Sequence, residues 1–260
     1  MTAGTRRLPP GRYRFRHVAR MEWVKLASLR STWAALGITI AAAAGIAVLA
    51  AAGTKAPSAD LVNSMMTGMF AGVLLAGVLG VLVVTSEYAS GTIRATLAAA
   101  PRRPLVLAAK AAVFGVTMLI TGQAAAFLAF FAGRTALGHG IAAPALGQPG
   151  VLRTIVLSGA SLALIGLLGL GLGAIIRHTA AAVAVLVGVV YAGELFIGQL
   201  NRTIDAYLPA YIVGDSLGGH TCRPGAAACP LPAWAGMSVL AAYAATALLI
   251  GGCILAWRDA

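Results

Sequence analysis

Glu87, Tyr88, Gly91, Thr92 and Arg94 fall within one polar segment, Ser86-Glu-Tyr-Ala-Ser-Gly-Thr-Ile-Arg94, between two long apolar runs. With Arg102, Arg103 and Lys110 downstream, the stretch from 86 to 110 gathers one acid and four bases in a chain otherwise poor in charge. The chemistry open to such a set is non-covalent: charge-assisted recognition of a partner surface. Gly91-Thr92 supplies a turn, and Ile93-Arg94-Ala-Thr-Leu97 suits one or two helical turns along a membrane face. Pro101 and Pro104 break the chain around Arg102-Arg103 before an apolar helix restarts at Leu105. The competing reading is a basic loop that only orients the protein in a bilayer.

Few other residues suggest chemistry. Glu194 lies well inside an apolar run, where an ionisable group faces a cavity or a partner. With Gln123 in another run it forms a candidate contact for a polar or cationic substrate; the alternative is that Glu194 snorkels to the surface or pairs with Arg202. Cys222 and Cys229 share one loop and are candidates for a disulfide that staples it, or else remain two thiols. His17, His139, His178 and His220 lie far apart with no ligand spacing, so no metal site is expected. Ser64, Ser86, Ser158, Ser161 and Ser238 have no histidine beside them to act as a base. No Gly-x-x-x-x-Gly-Lys-Ser/Thr phosphate loop occurs, so the chain is not expected to be an enzyme or to bind nucleotide through that motif. The glycines of Gly166-Leu-Leu-Gly-Leu-Gly-Leu-Gly173 lack the dinucleotide spacing. Like Gly68-x-x-x-Gly72 and Ala76-x-x-x-Gly80, they read as close helix contacts.

The elements that must position these residues follow from composition. The chain is 60% hydrophobic and 10% charged, with mean hydropathy +0.89, whereas a soluble domain carries roughly a quarter charged residues. Charge-free gaps run from Arg30 to Lys55, Asp60 to Glu87, Lys110 to Arg134, Arg153 to Arg177 and Arg223 to Arg258. Between Arg177 and Arg202 only Glu194 intervenes. Each gap exceeds the about 20 residues that cross a bilayer core. The expected fold is all-α and integral to a membrane, with six transmembrane helices near 33–53, 63–85, 108–132, 154–176, 179–200 and 235–257. Fourteen basic residues fall on one side of this arrangement and five on the other, which puts both termini in the cytoplasm. The net charge of +12 is then a topology signal and an attraction to anionic headgroups, with no nucleic-acid partner implied. The first apolar run begins too late and runs too long for a cleaved signal peptide.

Residues 1–13 read as a mobile basic tail. Residues 14–31 read as an amphipathic interfacial helix, with Val18, Met21, Val24 or Lys25, and Ser28 or Leu29 on its apolar face and Trp23 at the interface. Residues 32–260 form the six-helix domain, with no second globular unit.

Ser86-Glu87-Tyr88-Ala-Ser-Gly91-Thr92-Ile-Arg94, followed by Pro101-Arg102-Arg103 and Lys110, resembles the first cytoplasmic loop of ABC-2 type transporter permeases. Glu22-Trp23-Val-Lys25-Leu26 with Arg30-Ser31 resembles that family's amphipathic entry helix, so the likeness extends over the six-span chain. The resemblance implies the permease subunit of an ATP-binding cassette exporter, a dimer of permease halves, identical or not, in a bacterial plasma membrane. A separate P-loop ATPase subunit would bind ATP and Mg, leaving this chain without a cofactor. Residues Glu87 to Leu97 would form the coupling helix, with Glu87, Tyr88, Thr92 and Arg94 in contact with the ATPase and Gly91 permitting the turn. Arg177-His178-Thr179 would add a small second contact. Drugs, antibiotics and lipid-like molecules are the substrate classes implied, and the sequence does not choose among them. A stand-alone channel or secondary carrier, which calls for more polar or broken helices, and a membrane anchor or sensor are the alternatives.

Overall fold

The computed structural model describes residues 15–54, 61–93, 103–138, 141–192, 207–216 and 231–257. Among them there are helices and no strands. An apolar chain in lipid must satisfy its backbone N–H and C=O groups within each segment, which favours the helix throughout. Helix α1 is Phe15–Ser28, α2 is Arg30–Gly53, α3 is Leu61–Met66 and α4 is Gly68–Ala89. Helix α5 is Arg103–Thr135, α6 is Val151–Ile176 and α7 is Thr179–Val187, which runs on into a π-turn, Gly188–Ala192. A short turn, Pro209–Tyr211, precedes a second π-turn, Ile212–Ser216, and α8 is Ala233–Trp257.

Five stretches are long and apolar enough to cross a membrane: α2, the continuous Leu61–Ala89, α5, α6 and α8. The chain is therefore a multi-pass membrane protein by the length and composition of its helices. The expected fifth span, 179–200, is helical through Ala192, with the rest of it outside the described residues.

Helix α6 is the axis of the bundle: 72% of its apolar window is buried, against 28% for α2 and for α8. Small residues bring the backbones together there, where lipid gives no hydrophobic reason for helices to associate. A methyl group on Gly80 would overlap the Gly166 carbonyl, one on Gly169 the Gly77 carbonyl, and one on Gly122 the Gly159 carbonyl. Gly68 abuts Ala43 in the same manner, and a methyl on Gly171 would come within 2.7 Å of Ala247. The helix-packing reading of Gly68, Gly80 and the 166–173 glycines agrees with these contacts.

Two helix ends and one helix face differ from the sequence reading. Helix α4 runs on to Ala89, so Glu87 and Tyr88 sit in its last turn instead of in the loop beyond it. Helix α5 begins at Arg103 and takes Pro104 into its first turn, where a missing N–H costs nothing. In α1 the buried face is Val18, Glu22 and Leu26; of the two residues offered for one position of the apolar face, Val24 is 58% exposed and the Lys25 side chain 36%. The face is rotated because α1 lies along α5, with Val18 packed on Val106 and Ala109, and because Glu22 reaches a base on that helix.

Candidate functional site

Four side chains from three helices close into a ring at one end of the bundle. Glu22 and Lys25 come from consecutive turns of α1, Glu87 from the last turn of α4 and Lys110 from the second turn of α5. Lys25 Nζ donates to Glu22 Oε1 at 3.1 Å and to Glu87 Oε1 at 3.1 Å. Lys110 Nζ donates to Glu22 Oε2 at 2.5 Å and to Glu87 Oε1 at 2.8 Å. Each acid thus meets both bases, and the formal charge of the ring is zero.

The ring is desolvated unevenly. The side chains of Glu22 and Lys110 are 3% and 6% exposed and that of Glu87 is 12% exposed, whereas that of Lys25 is 36% exposed. A charge so buried is tolerable only with a partner of opposite sign in good geometry. For Lys25, burial alone would lower the pKa, but the adjoining carboxylates of Glu22 and Glu87 outweigh it and hold the ammonium above its ordinary value. Both lysine bonds to Glu87 go to Oε1, and Oε2 is buried with no hydrogen-bond partner.

Next to Glu87, Tyr88 engages the connection between α6 and α7. The Arg177 guanidinium lies over its ring, 5.2 Å from the centroid. Arg177 ends α6 in the left-handed conformation, φ 60° and ψ 8°, with its N–H bonded to the Gly173 carbonyl. Its Nε and Nη2 atoms are buried without hydrogen-bond partners. Thr179 Oγ1 donates to Thr85 Oγ1 at 3.0 Å across the same contact. The end of α4 is therefore tied to α1, to α5 and to the α6–α7 corner.

Beyond Ala89 the chain turns sharply. Gly91 takes φ +70°, its N–H donating to the Tyr88 carbonyl, and Ser90 and Thr92 share a hydrogen bond of 2.9 Å. A methyl on Gly91 would meet nothing within 4 Å, so glycine is required by the backbone angle and not by space. Ile93 is buried, and Arg94 lies outside the described residues.

The other sequence candidates are not drawn into this cluster. Gln123 Nε2 donates to the Val156 carbonyl at 2.9 Å, tying α5 to α6, and Gly159 leaves room for its amide. Glu194, Cys222 and Cys229 lie outside the described residues. Among the described residues no three His, Cys, Asp or Glu side chains assemble as a metal site.

The ring itself is what motif reading missed. Glu22, Lys25 and Lys110 were part of the family likeness but not of any pairing. A compositional signal was there: two of the chain's three glutamates and two of its three lysines close the ring, in a sequence whose remaining bases are nearly all arginine. No family model matches the chain, and no curated protein matches it in sequence.

Proposed function

We propose that this chain is the permease subunit of an ATP-binding cassette exporter, set in a bacterial plasma membrane with six spans and both termini in the cytoplasm. It is powered by a separate P-loop ATPase that holds ATP and Mg. The observation that carries this reading is the Glu22–Lys25–Glu87–Lys110 ring, which supports the view that the segment after α4 is a lever and not a loose loop. A push on residues 87–94 is delivered through Glu87 to α1 and α5 together, and through Tyr88 and Arg177 to the α6–α7 corner. A flexible loop would dissipate the same push.

In this reading Glu87 acts from inside the permease as an anchor, its Oε1 taken by two lysines, and Arg94 meets the ATPase. The α1 helix lies in the headgroup layer with Trp23 outward, and two permease halves frame the export path. ATP binding favours one permease conformation only by the difference in its affinity for the two, and a shift from 1:99 to 99:1 needs about 5.5 kcal/mol. Co-expression with the P-loop ATPase encoded nearest its gene tests the proposal. The ATPase should co-purify in detergent, and Arg94→Glu should release it while the permease stays folded. Absence of any ATPase from the purified wild-type complex would sink the reading.

A further inference from the structure

We propose that the groove between α1, α2 and α5 binds one anionic glycerophospholipid, an acyl chain lying along α5 and the headgroup on Arg20. The groove has a volume of about 590 Å³, within the range of clefts that hold a ligand, and none of the four ring residues lines it. The proposal needs only that the chain crosses a bilayer and does not depend on the transport reading.

The lower part of the groove suits a hydrocarbon chain. Ala112, Val116 and Ile120 recur every fourth residue on α5 and form one stripe of its wall, and Val113, Thr117 and Thr121 form the next. The two threonines add no free polar group, because Thr117 Oγ1 donates to the Val113 carbonyl and Thr121 Oγ1 to the Thr117 carbonyl. From Ala112 to Thr121 the helical rise gives a trough of about 14 Å, roughly the depth of one leaflet of the hydrocarbon core. Val116 and Ile120 are 59% and 66% exposed, so the trough is reached sideways from lipid.

Charge selects the headgroup. Glu22 of α1 bonds to Lys110, the residue at which the charge-free run of α5 begins, so α1 crosses α5 at the membrane edge of that run. Arg20 therefore stands at the headgroup end of the trough. It is exposed, it is the one charged residue of the lining, and among the described residues it is in no ion pair. No acid lines the groove to meet the ammonium of a zwitterionic lipid, whereas an anionic headgroup keeps its full attraction to the guanidinium. Trp23 and Trp33 flank this end, and Trp33 is fixed there by its indole N–H, which donates to the Ala27 carbonyl at 3.0 Å.

The same two tryptophans report the occupant. The full chain carrying Trp234→Phe and Trp257→Phe, both at exposed positions, is reconstituted in phosphatidylcholine vesicles and quenched with lipids brominated on the acyl chain. Brominated phosphatidylglycerol should occupy the quenching site about fivefold more strongly than brominated phosphatidylcholine, the worth of one arginine facing an anionic lipid, and brominated phosphatidylethanolamine should match the choline lipid. Arg20→Gln should bring all three to parity. Ala112→Phe, at an exposed position of α5, obstructs the trough and keeps Arg20, so it should remove the preference as well; this variant separates a seated lipid from the general attraction of anionic lipids to surface arginines. Equal quenching by the three lipids in the unsubstituted groove, or an undiminished preference in either variant, overturns the proposal. So does the absence of quenching by every brominated lipid, the result expected if a second copy of the chain covers the groove.

Discussion

Replacing Lys110 by methionine tests the ring most directly. The change removes bonds of 2.5 and 2.8 Å and leaves two carboxylates, 3% and 12% exposed, sharing Lys25 alone. Removing one partner of a buried ion pair costs about 3–5 kcal/mol, because the remaining charge is stranded. Lys25 stays bonded to both acids, so the loss belongs at the lower end, about 3 kcal/mol. Adding Glu22→Leu restores a one-to-one pair, Lys25 with Glu87, and puts apolar volume where the charges were. The double variant should then lie within about 1 kcal/mol of the wild type, since exchanging a buried pair for packed hydrophobes is often neutral. The coupling between the two sites is thus about 2 kcal/mol or more. Reversible unfolding in mixed micelles, titrated with SDS and followed by circular dichroism, gives these differences. A Lys110→Met protein as stable as the wild type, or a double variant that loses the sum of the two single losses, would refute the closed ring.

Gly91→Ala should destabilise the end of α4 by about 1 kcal/mol through its positive φ alone, seen as faster hydrogen exchange at residues 86–93 with the rest of the bundle unchanged. Gly169→Leu and Gly80→Leu should prevent folding, because each side chain would enter a neighbouring backbone, whereas Gly37→Ala, with nothing within 4 Å, should fold normally; size-exclusion profiles in detergent separate the outcomes. Lys25 has its pKa raised above 10.5 in the folded chain, so its contribution to docking α1 is full below pH 10.5 and is lost as pH rises through the folded-state value. Fluorescence of Trp23 in a variant lacking the other three tryptophans should report α1 loosening as pH rises through that alkaline range.

Much of the architecture could be read from the residues. The charge-free gaps locate α2, the Leu61–Ala89 stretch, α5, α6 and α8 to within a few residues, because the apolar length a bilayer demands leaves little freedom. The small residues of α4 and α6 announce close packing for the same reason, since only glycine lets a carbonyl of one helix approach the axis of another. Gly91 was legible as a turn because a left-handed residue after a helix is glycine's usual place. The face of α1 was misread because hydrophobic spacing treats Glu22 as outward, and nothing local to α1 says that a lysine 88 positions later awaits it.

The amino-acid sequence by itself determined that the chain is helical and apolar enough to cross a membrane several times, and where its charges interrupt the spans. Those properties depend on composition and local period, which any window of the chain carries. Only the tertiary structure decided what the charges do. Glu22, Lys25, Glu87 and Lys110 look like boundary markers when read along the chain, yet they neutralise one another once α1, α4 and α5 are packed. Ion pairing depends on distances of a few ångströms between residues far apart in sequence, and packing alone sets those distances.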